Sequence, residues 1–394
     1  MRSKPGNCNH CLSLTKYALT KQGLTIAAFG LALWLALAAP ASAQTGKLAP
    51  ETKVQIEAAT AKFMTAHSVP GISVAIVESG EYEWSAGFGM ADLENFVPAT
   101  SQTLYRLASI SKPITATAAM LLWQQGKLDL DAPVQKYCPA FPAKDTPITT
   151  REVLGHLSGI RHYKGDSQDD PELGNTKHFE NPIDGGLQFF KGDPLLDKPG
   201  TAFHYTTHGF TVAGCAVEGA SGEKYVNYVE ENVLRPAEMA HTRTDDRYAL
   251  IPYRTRFYQK DKTGAVVNAD FLDSSYKIPG GGWLSSAEDM AKFEVALLKD
   301  RIVQSSTRDL MWTSLKTTDG KETGYALGWG IGKELSILTV GHSGGQQGTS
   351  TDIVIAPERQ SGVVVLMNLE GGNASDLAAE IMKIILAPPS TPSK

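Results

Sequence analysis

Strand-like alternation is confined to the two ends of this 394-residue chain, and helical periodicity fills the stretch between them. Gly71–Glu78 and Tyr82–Gly89 alternate around Ser79-Gly80, the pattern of a hairpin. Near the other end, Tyr325–Gly332, Ile337–Gly341, Thr351–Ala356 and Gly362–Asn368 read as strands. Helices are expected at 47–66, at 109–125 with Gly126 as its stop, from Thr150 to Leu157, at 207–220, at 222–234 and at 375–386. Ser285 and Glu288 have the spacing of a capping box that opens a helix to Lys299. Tyr253–Tyr258 and Ala265–Ala269 flank a further turn. Strands arriving from both termini must meet in one sheet, so the expectation is an α+β fold. Its sheet would come from roughly 44–108 and 275–387, with a helical insertion at roughly 109–274. The polar segment 161–200 is too long for a mere connection and reads as a functional loop region.

The N-terminus reads as a leader. Arg2, Lys4, Lys16 and Lys21 precede an apolar run, Ile26–Ala39, of 14 residues. A membrane-spanning helix needs about 20. The run ends in Pro40-Ala41-Ser42-Ala43, small residues of the signal-peptidase type, so export with cleavage near Ala43 is expected. Four of the 37 basic residues leave with this segment and none of the 42 acidic ones, which takes the formal charge from −5 to −9 over the remaining 351 residues. That balance argues against nucleic acid as a partner and leaves a small molecule or peptide. Cys8 and Cys11 also leave, so their C-x-x-C spacing carries no redox or metal meaning. An oxidising compartment permits a bridge between Cys138 and Cys215, but the apolar helical pattern around Cys215 favours a buried thiol. Residues 388–394 read as a disordered tail.

Three patterns in the mature chain imitate known sites and fail on context. His204 and His208 have i, i+4 spacing, but no glutamate follows His204 and no further ligand cluster is evident, so no metal is expected. Gly328-x-Gly330-x-Gly332-Lys333 is followed by strand-like sequence where a phosphate loop needs a helix. Gly341-His342-Ser343-Gly344-Gly345 fits the nucleophile elbow of α/β-hydrolases, but a strand follows and no histidine lies beyond His342. Ser-x-x-Lys remains, in which one helical turn stacks an amine over a hydroxyl. It occurs at Ser13, Ser109, Ser221 and Ser274. Ser13 is in the leader, Ser221 is at a helix junction and Ser274 is in a polar connection. Only Ser109 has a strand-like approach before it and a long apolar helix after it. That places its hydroxyl at a helix N-terminus, where an oxyanion is stabilised. Burial would then let Lys112 act as a neutral base.

Leu107-Ala108-Ser109-Ile110-Ser111-Lys112 resembles the first motif of serine β-lactamases and penicillin-binding proteins. Leu154–Ile160, Tyr205–Phe210, Gly280–Ser285 and His342-Ser343-Gly344 resemble later landmarks of that family in the expected order. Arg161-His162-Tyr163, Asp193–Leu196 and Thr255–Tyr258 resemble a branch that includes mitochondrial serine β-lactamase-like proteins and exported bacterial relatives. Literal Tyr-x-Asn and Lys-Thr-Gly strings occur at Tyr225 and Lys262, but their flanks do not match, which favours Tyr205 and His342. The resemblance implies a β-lactamase/transpeptidase-like fold, an antiparallel sheet flanked by helices plus a mainly helical domain. It implies Ser109 as acylated nucleophile, with Lys112 and Tyr205 handling protons. Amides of Ser109 and Gly345 would hold the oxyanion, while Thr207, His342, Ser343 and Gly344 bind substrate; no cofactor is implied. An exported amide-cleaving hydrolase of peptidase type is therefore expected. The same site could serve a β-lactamase or carboxylesterase, and a non-catalytic binding protein is the reading from another class. Thr207 and His342 stand where class C β-lactamases have Asn and Lys, which weakens a dedicated antibiotic-hydrolysing role.

Overall fold

The computed structural model describes residues 48–165 and 170–387. The leader, Cys8, Cys11, the cleavage position and the tail 388–394 lie outside the described residues. Helix α1 (Pro50–His67) precedes strands β1 (Gly71–Glu78), β2 (Glu81–Asp92) and β3 (Val97–Pro98). Helices α2 (Ser111–Gln124), α3 (Thr207–Ser221) and α4 (Ala287–Leu298) follow. Strands β4 (Gly330–Glu334), β5 (Ile337–Gln346), β6 (Thr349–Ala356) and β7 (Ser361–Met367) and helix α5 (Ala374–Leu386) close the chain. These seven strands form one antiparallel sheet in the order β3-β2-β1-β7-β6-β5-β4. The first strand of the chain pairs with the last, Ile72 opposite Met367 and Ala75 opposite Val364.

Side chains alternate across the strands, and both faces of this sheet are covered. Ile72, Val74 and Ile76 of β1, with Val363, Val365 and Met367 of β7, pack with Ile56 and Phe63 of α1 and Leu377 and Ile381 of α5. Ala75 and Val77, with Val364 and Leu366, join the larger core on the other face with Met290, Phe293 and Leu297 of α4. That two-sided burial leaves the two strands buried at nearly every position instead of alternating between core and solvent. Helix α2 is buried from Ser111 through Leu122. A helix enclosed on every side is an interior element, and α3 packs along it.

Several local expectations need adjustment. The cap of α4 is Ser286, whose hydroxyl accepts the Asp289 amide, while Ser285 lies on a short strand and bonds Thr242. The helix expected at 222–234 is a short α-helix, Tyr225–Val229, continued as a π-turn over Glu230–Leu234. Segment 161–200 carries its own helix, Pro182–Phe190. Arg161 pins the segment through ion pairs to Glu172 at 2.7 Å and Asp193 at 2.6 Å.

The expected buried thiol is a correction: Cys215 forms a disulfide with Cys138, across 77 residues. One turn beyond Cys215 is Gly219, where a Cβ would stand only 1.7 Å from the Tyr137 carbonyl oxygen. The glycine lets the 137–138 backbone lie directly on α3, and this brings the sulfurs together. A crosslink closing so long a loop restricts the unfolded chain. Replacing both cysteines by alanine is therefore expected to lower stability by about 2–5 kcal/mol, read as a drop in Tm. An unchanged Tm together with two titratable thiols in the unreduced protein would contradict the bridge.

Candidate active site

The chain enters the site along a short strand, Tyr105–Arg106, and tightens into a 3-10 turn, Ala108–Ile110, before α2 begins. Ala108 sits in the left-handed region with φ +48°, a strained position for a residue with a Cβ. Three contacts hold the turn there. The Leu107 amide donates to the Trp283 carbonyl at 2.9 Å. Thr351 Oγ1 of β6 donates to the Leu107 carbonyl at 2.9 Å, and Thr349 Oγ1 donates to the Arg106 carbonyl at 3.0 Å. Pro113 falls in the first turn of α2, where its missing N–H breaks no hydrogen bond.

Lys112 is fully buried, and its Nζ lies 2.9 Å from Ser109 Oγ, 3.1 Å from Thr207 Oγ1 and 2.9 Å from the Gly280 carbonyl oxygen. No carboxylate is among these partners. Burial, with the positive charge of Lys277 adding to it, lowers the Lys112 amine well below the ordinary lysine range. The shift favours the free base, which is held against a hydroxyl.

Tyr205 lies just before α3, 4.9 Å from ring centroid to Lys112 Nζ, and its phenol meets the Ser109 side chain. Burial raises the phenol's pKa, with the Ser109 bond opposing, so it keeps its proton and can donate it. His156 is enclosed by rings, its centroid 4.4 Å from Tyr205, 4.7 Å from Tyr325 and 5.4 Å from Phe210. Its Nδ1 accepts the Thr206 amide at 3.1 Å. Beside it, His162 Nδ1 accepts the Thr207 amide at 3.2 Å. Burial above all pulls His162 down to about 3.

On the sheet side, β5 supplies His342 through Gln346. His342 Nε2 meets Tyr325 Oη at 2.9 Å and its Nδ1 meets the Ser343 carbonyl at 2.6 Å. Burial above all pulls it down to about 3, the carbonyl bond opposing, so this ring is neutral at physiological pH. Gly344 is where strand and nucleophile turn touch. A Cβ there would lie 2.3 Å from the Leu107 carbonyl oxygen and 3.1 Å from the Ser109 nitrogen. At Gly345 a Cβ would meet nothing within 4 Å.

Two cavities share Tyr205 as a wall. One, of about 270 Å³, is lined by Ser109, Thr207, Gly345 and Gln346, with His162 and Tyr163 from the 161–173 segment. The other, of about 390 Å³, is lined by Tyr325, His342, Ser343 and Thr339. All eight residues singled out in the sequence thus gather around this place. Tyr225 instead packs beneath α2, its phenol 2.6 Å from Thr115 Oγ1, and Lys262–Gly264 forms a hairpin tip away from the site. His204 pairs with Asp197 and His208 with Glu172, so the two imidazoles do not face a common ligand. Sequence reasoning missed the roles of His156, His162, Tyr163 and Tyr325. It also missed Lys277, which is buried and borders the smaller cavity although its stretch reads as a polar connection. The Ser274-x-x-Lys277 spacing was the one signal pointing to it.

A family model described as Beta-lactamase matches residues 56–384. The human mitochondrial serine beta-lactamase-like protein LACTB is 32% identical over 379 residues, covering 73% of this chain and 69% of the human one. Protein flp of Staphylococcus aureus (strain MW2) is 25% identical, covering 82% of this chain and 64% of its own length. Among solved structures, the octameric penicillin-binding protein homologue from Pyrococcus abyssi aligns with TM-score 0.74 at 29% identity, covering 85% of this chain and 77% of that one. The D-amino acid amidase from Ochrobactrum anthropi SV3 has TM-score 0.72 at 22% identity, over 85% and 98%, and shows the same fold.

Two expectations follow from this geometry. Labelling of Ser109 by a fluorophosphonate should rise with pH as Lys112 loses its proton and level off well below the ordinary lysine range; a limb within that range would contradict a lowered amine. Gly344→Ala should force β5 off the turn and cut the labelling rate by about a hundredfold, the scale of one lost oxyanion donor. Gly345→Ala should keep it near wild type, and equal behaviour of the two variants would count against the close approach.

Proposed function

The chain belongs to the Beta-lactamase family of serine hydrolases, and from that premise we propose that it hydrolyses amide bonds of peptide type through an acyl-enzyme on Ser109. The observation that carries this reading is the buried Lys112 amine 2.9 Å from Ser109 Oγ, held well below the ordinary lysine range and with no carboxylate among its hydrogen-bond partners. In this mechanism Nζ takes the Ser109 proton while Oγ attacks the substrate carbonyl carbon. The carbonyl oxygen becomes an oxyanion and sits on the amides of Ser109 and Gly345. Such a donor contributes on the order of 3 kcal/mol. The C–N bond then breaks, and the departing nitrogen receives a proton from the Tyr205 phenol, which Lys112 reprotonates. Water repeats the sequence on the ester, the proton returning to Ser109. The opposite shifts of Lys112 and Tyr205 support base and acid roles respectively for the first half-reaction.

A β-lactamase or carboxylesterase on the same residues is the second reading. The neutral His342 weighs against a β-lactamase, because a lactam carboxylate arriving beside Ser343 would find no fixed cation there. Export rests on the leader sequence; among the described residues no helix is long and apolar enough to cross a membrane.

Purified mature protein should form a fluorophosphonate adduct on Ser109, lost in Ser109→Ala. A short peptide should exceed a cephalosporin in kcat/KM. If the cephalosporin led by about two orders of magnitude, equivalent to about 2.7 kcal/mol of transition-state binding, the peptidase reading would be wrong. No adduct, with Ser109→Ala behaving as wild type, would point to a binding protein.

A further inference from the structure

Strands β4, β5 and β6 carry a groove on one face, and the sequence makes it by leaving side chains out. Gly330 of β4 stands opposite Gly341 of β5, and Gly332 stands opposite Thr339. On the other side of β5, Ser343 pairs with Asp352 of β6 and Gly341 with Val354. Residues directly opposite in an antiparallel pair present their side chains to the same face. Thr339, Ser343, Asp352 and Val354 therefore border a strip to which three glycines add nothing. This is the cavity of about 390 Å³ described above, and Ser375 from the first turn of α5 also belongs to its wall.

Asp352 is the acid of that wall, and among the described residues no lysine or arginine lines it. Ser375 Oγ donates to Asp352 Oδ2, and among the described residues Oδ1 has no hydrogen bond or ion pair. His342 is neutral, as shown above. Lys383, the cation farther along α5, is engaged with Glu334 at 3.5 Å. Glu294 of α4 is a second buried acid, driven further up by Asp352. The groove thus holds a carboxylate without a counter-ion.

The two cavities fix which part of a substrate this carboxylate would meet. Ser109 and Gly345, whose amides would take the oxyanion, line the smaller cavity, which leaves the acyl portion there. The departing nitrogen takes its proton from Tyr205, the wall common to both cavities, so the leaving portion runs past that ring into the glycine groove. Resting on the hydrolase reading above, we propose that Asp352 is a specificity residue for the leaving portion of the substrate, receiving an ammonium or guanidinium and so selecting amide bonds whose departing amine carries a basic side chain.

The energetics agree in direction. An enclosed carboxylate lacking a partner is costly, and a cation that reaches it recovers much of that cost. Burial raises the Asp352 carboxyl to about 7, with the Ser375 bond opposing. An acid so raised is neutral below that pH and charged above it. Discrimination for a cation should therefore be present above about pH 7 and fade below it.

The test uses two peptide pools, N-acetyl-X-lysine amide and N-acetyl-X-norleucine amide, with X randomised identically. The pools share an acyl side and differ in the ammonium of the leaving residue. Wild-type protein should favour the lysine pool in kcat/KM, with the ratio falling as pH drops through about 7. Asp352→Asn should collapse the ratio by about tenfold or more, the scale of one desolvated charge pair, and remove its pH dependence; Asp352→Glu should restore part of it. Equal losses on both pools, with the ratio unchanged, would mean that Asp352 only holds Ser375 and α5, and would overturn the proposal. Retention of the pools on immobilised Ser109→Ala protein separates this outcome from failure of the hydrolase reading. The lysine pool should be retained over the norleucine pool, and adding Asp352→Asn should abolish the difference. That pattern without wild-type turnover would uphold the subsite and sink the hydrolase reading. Retention independent of Asp352, or retention of neither pool, would refute the subsite itself.

Discussion

A fully enclosed lysine must either find an anion or give up its proton, and Lys112 is surrounded by oxygens that carry no formal charge. Ser109, Thr207 and Gly280 come from three separate parts of the chain and meet on one nitrogen. Their convergence explains why α2 is buried along its length, why α3 starts where it does, and why the 277–281 turn is clamped against both. A carboxylate in this group would return the charge and remove the base. Among the described residues no acid lines the smaller cavity, and Glu172, the nearby acid of the 161–173 segment, is engaged with Arg161 and His208.

The sheet sets the other half of the geometry. Because β1 pairs with β7, strands from opposite ends of the chain are locked in one plane, and β5 is placed two strands from that join. Threonines of β6 reach across to the carbonyls of Arg106 and Leu107, and Gly344 lets β5 rest on the nucleophile turn. Arg106 ties the same turn to Asp245 and to the Gln347 and Leu272 carbonyls. A long-range sheet register is thus converted into the position of one serine.

Much of this was legible in the sequence for physical reasons. Strand alternation at the two ends implied a shared sheet, and the apolar helix after Ser109 singled out one Ser-x-x-Lys among four. What escaped depends on contacts between distant segments. Periodicity said that Cys215 was buried but not that Gly219 would let the 137–138 backbone touch the helix. Polar flanks around Lys277 read as solvent-exposed, whereas Ser274, Ser275 and Lys277 are all buried. His342 was recognisable by its place before Ser343-Gly344, but its neutrality comes from enclosure beside Tyr325 and could not be read from neighbours along the chain. His156 reads as a family landmark, while its work as a ring-packed support behind Tyr205 appears only in three dimensions.

The claim on which the rest stands is that Lys112 is uncharged in the resting protein. Nuclear magnetic resonance of full-length protein labelled with ¹³C at lysine Cε, with the Lys112 signal assigned by its absence in Lys112→Arg, measures that protonation state directly. The account predicts a titration displaced well below that of the surface lysines, with the neutral form present at physiological pH. A Lys112 signal that stays with the surface lysines and remains charged through neutral pH would contradict it.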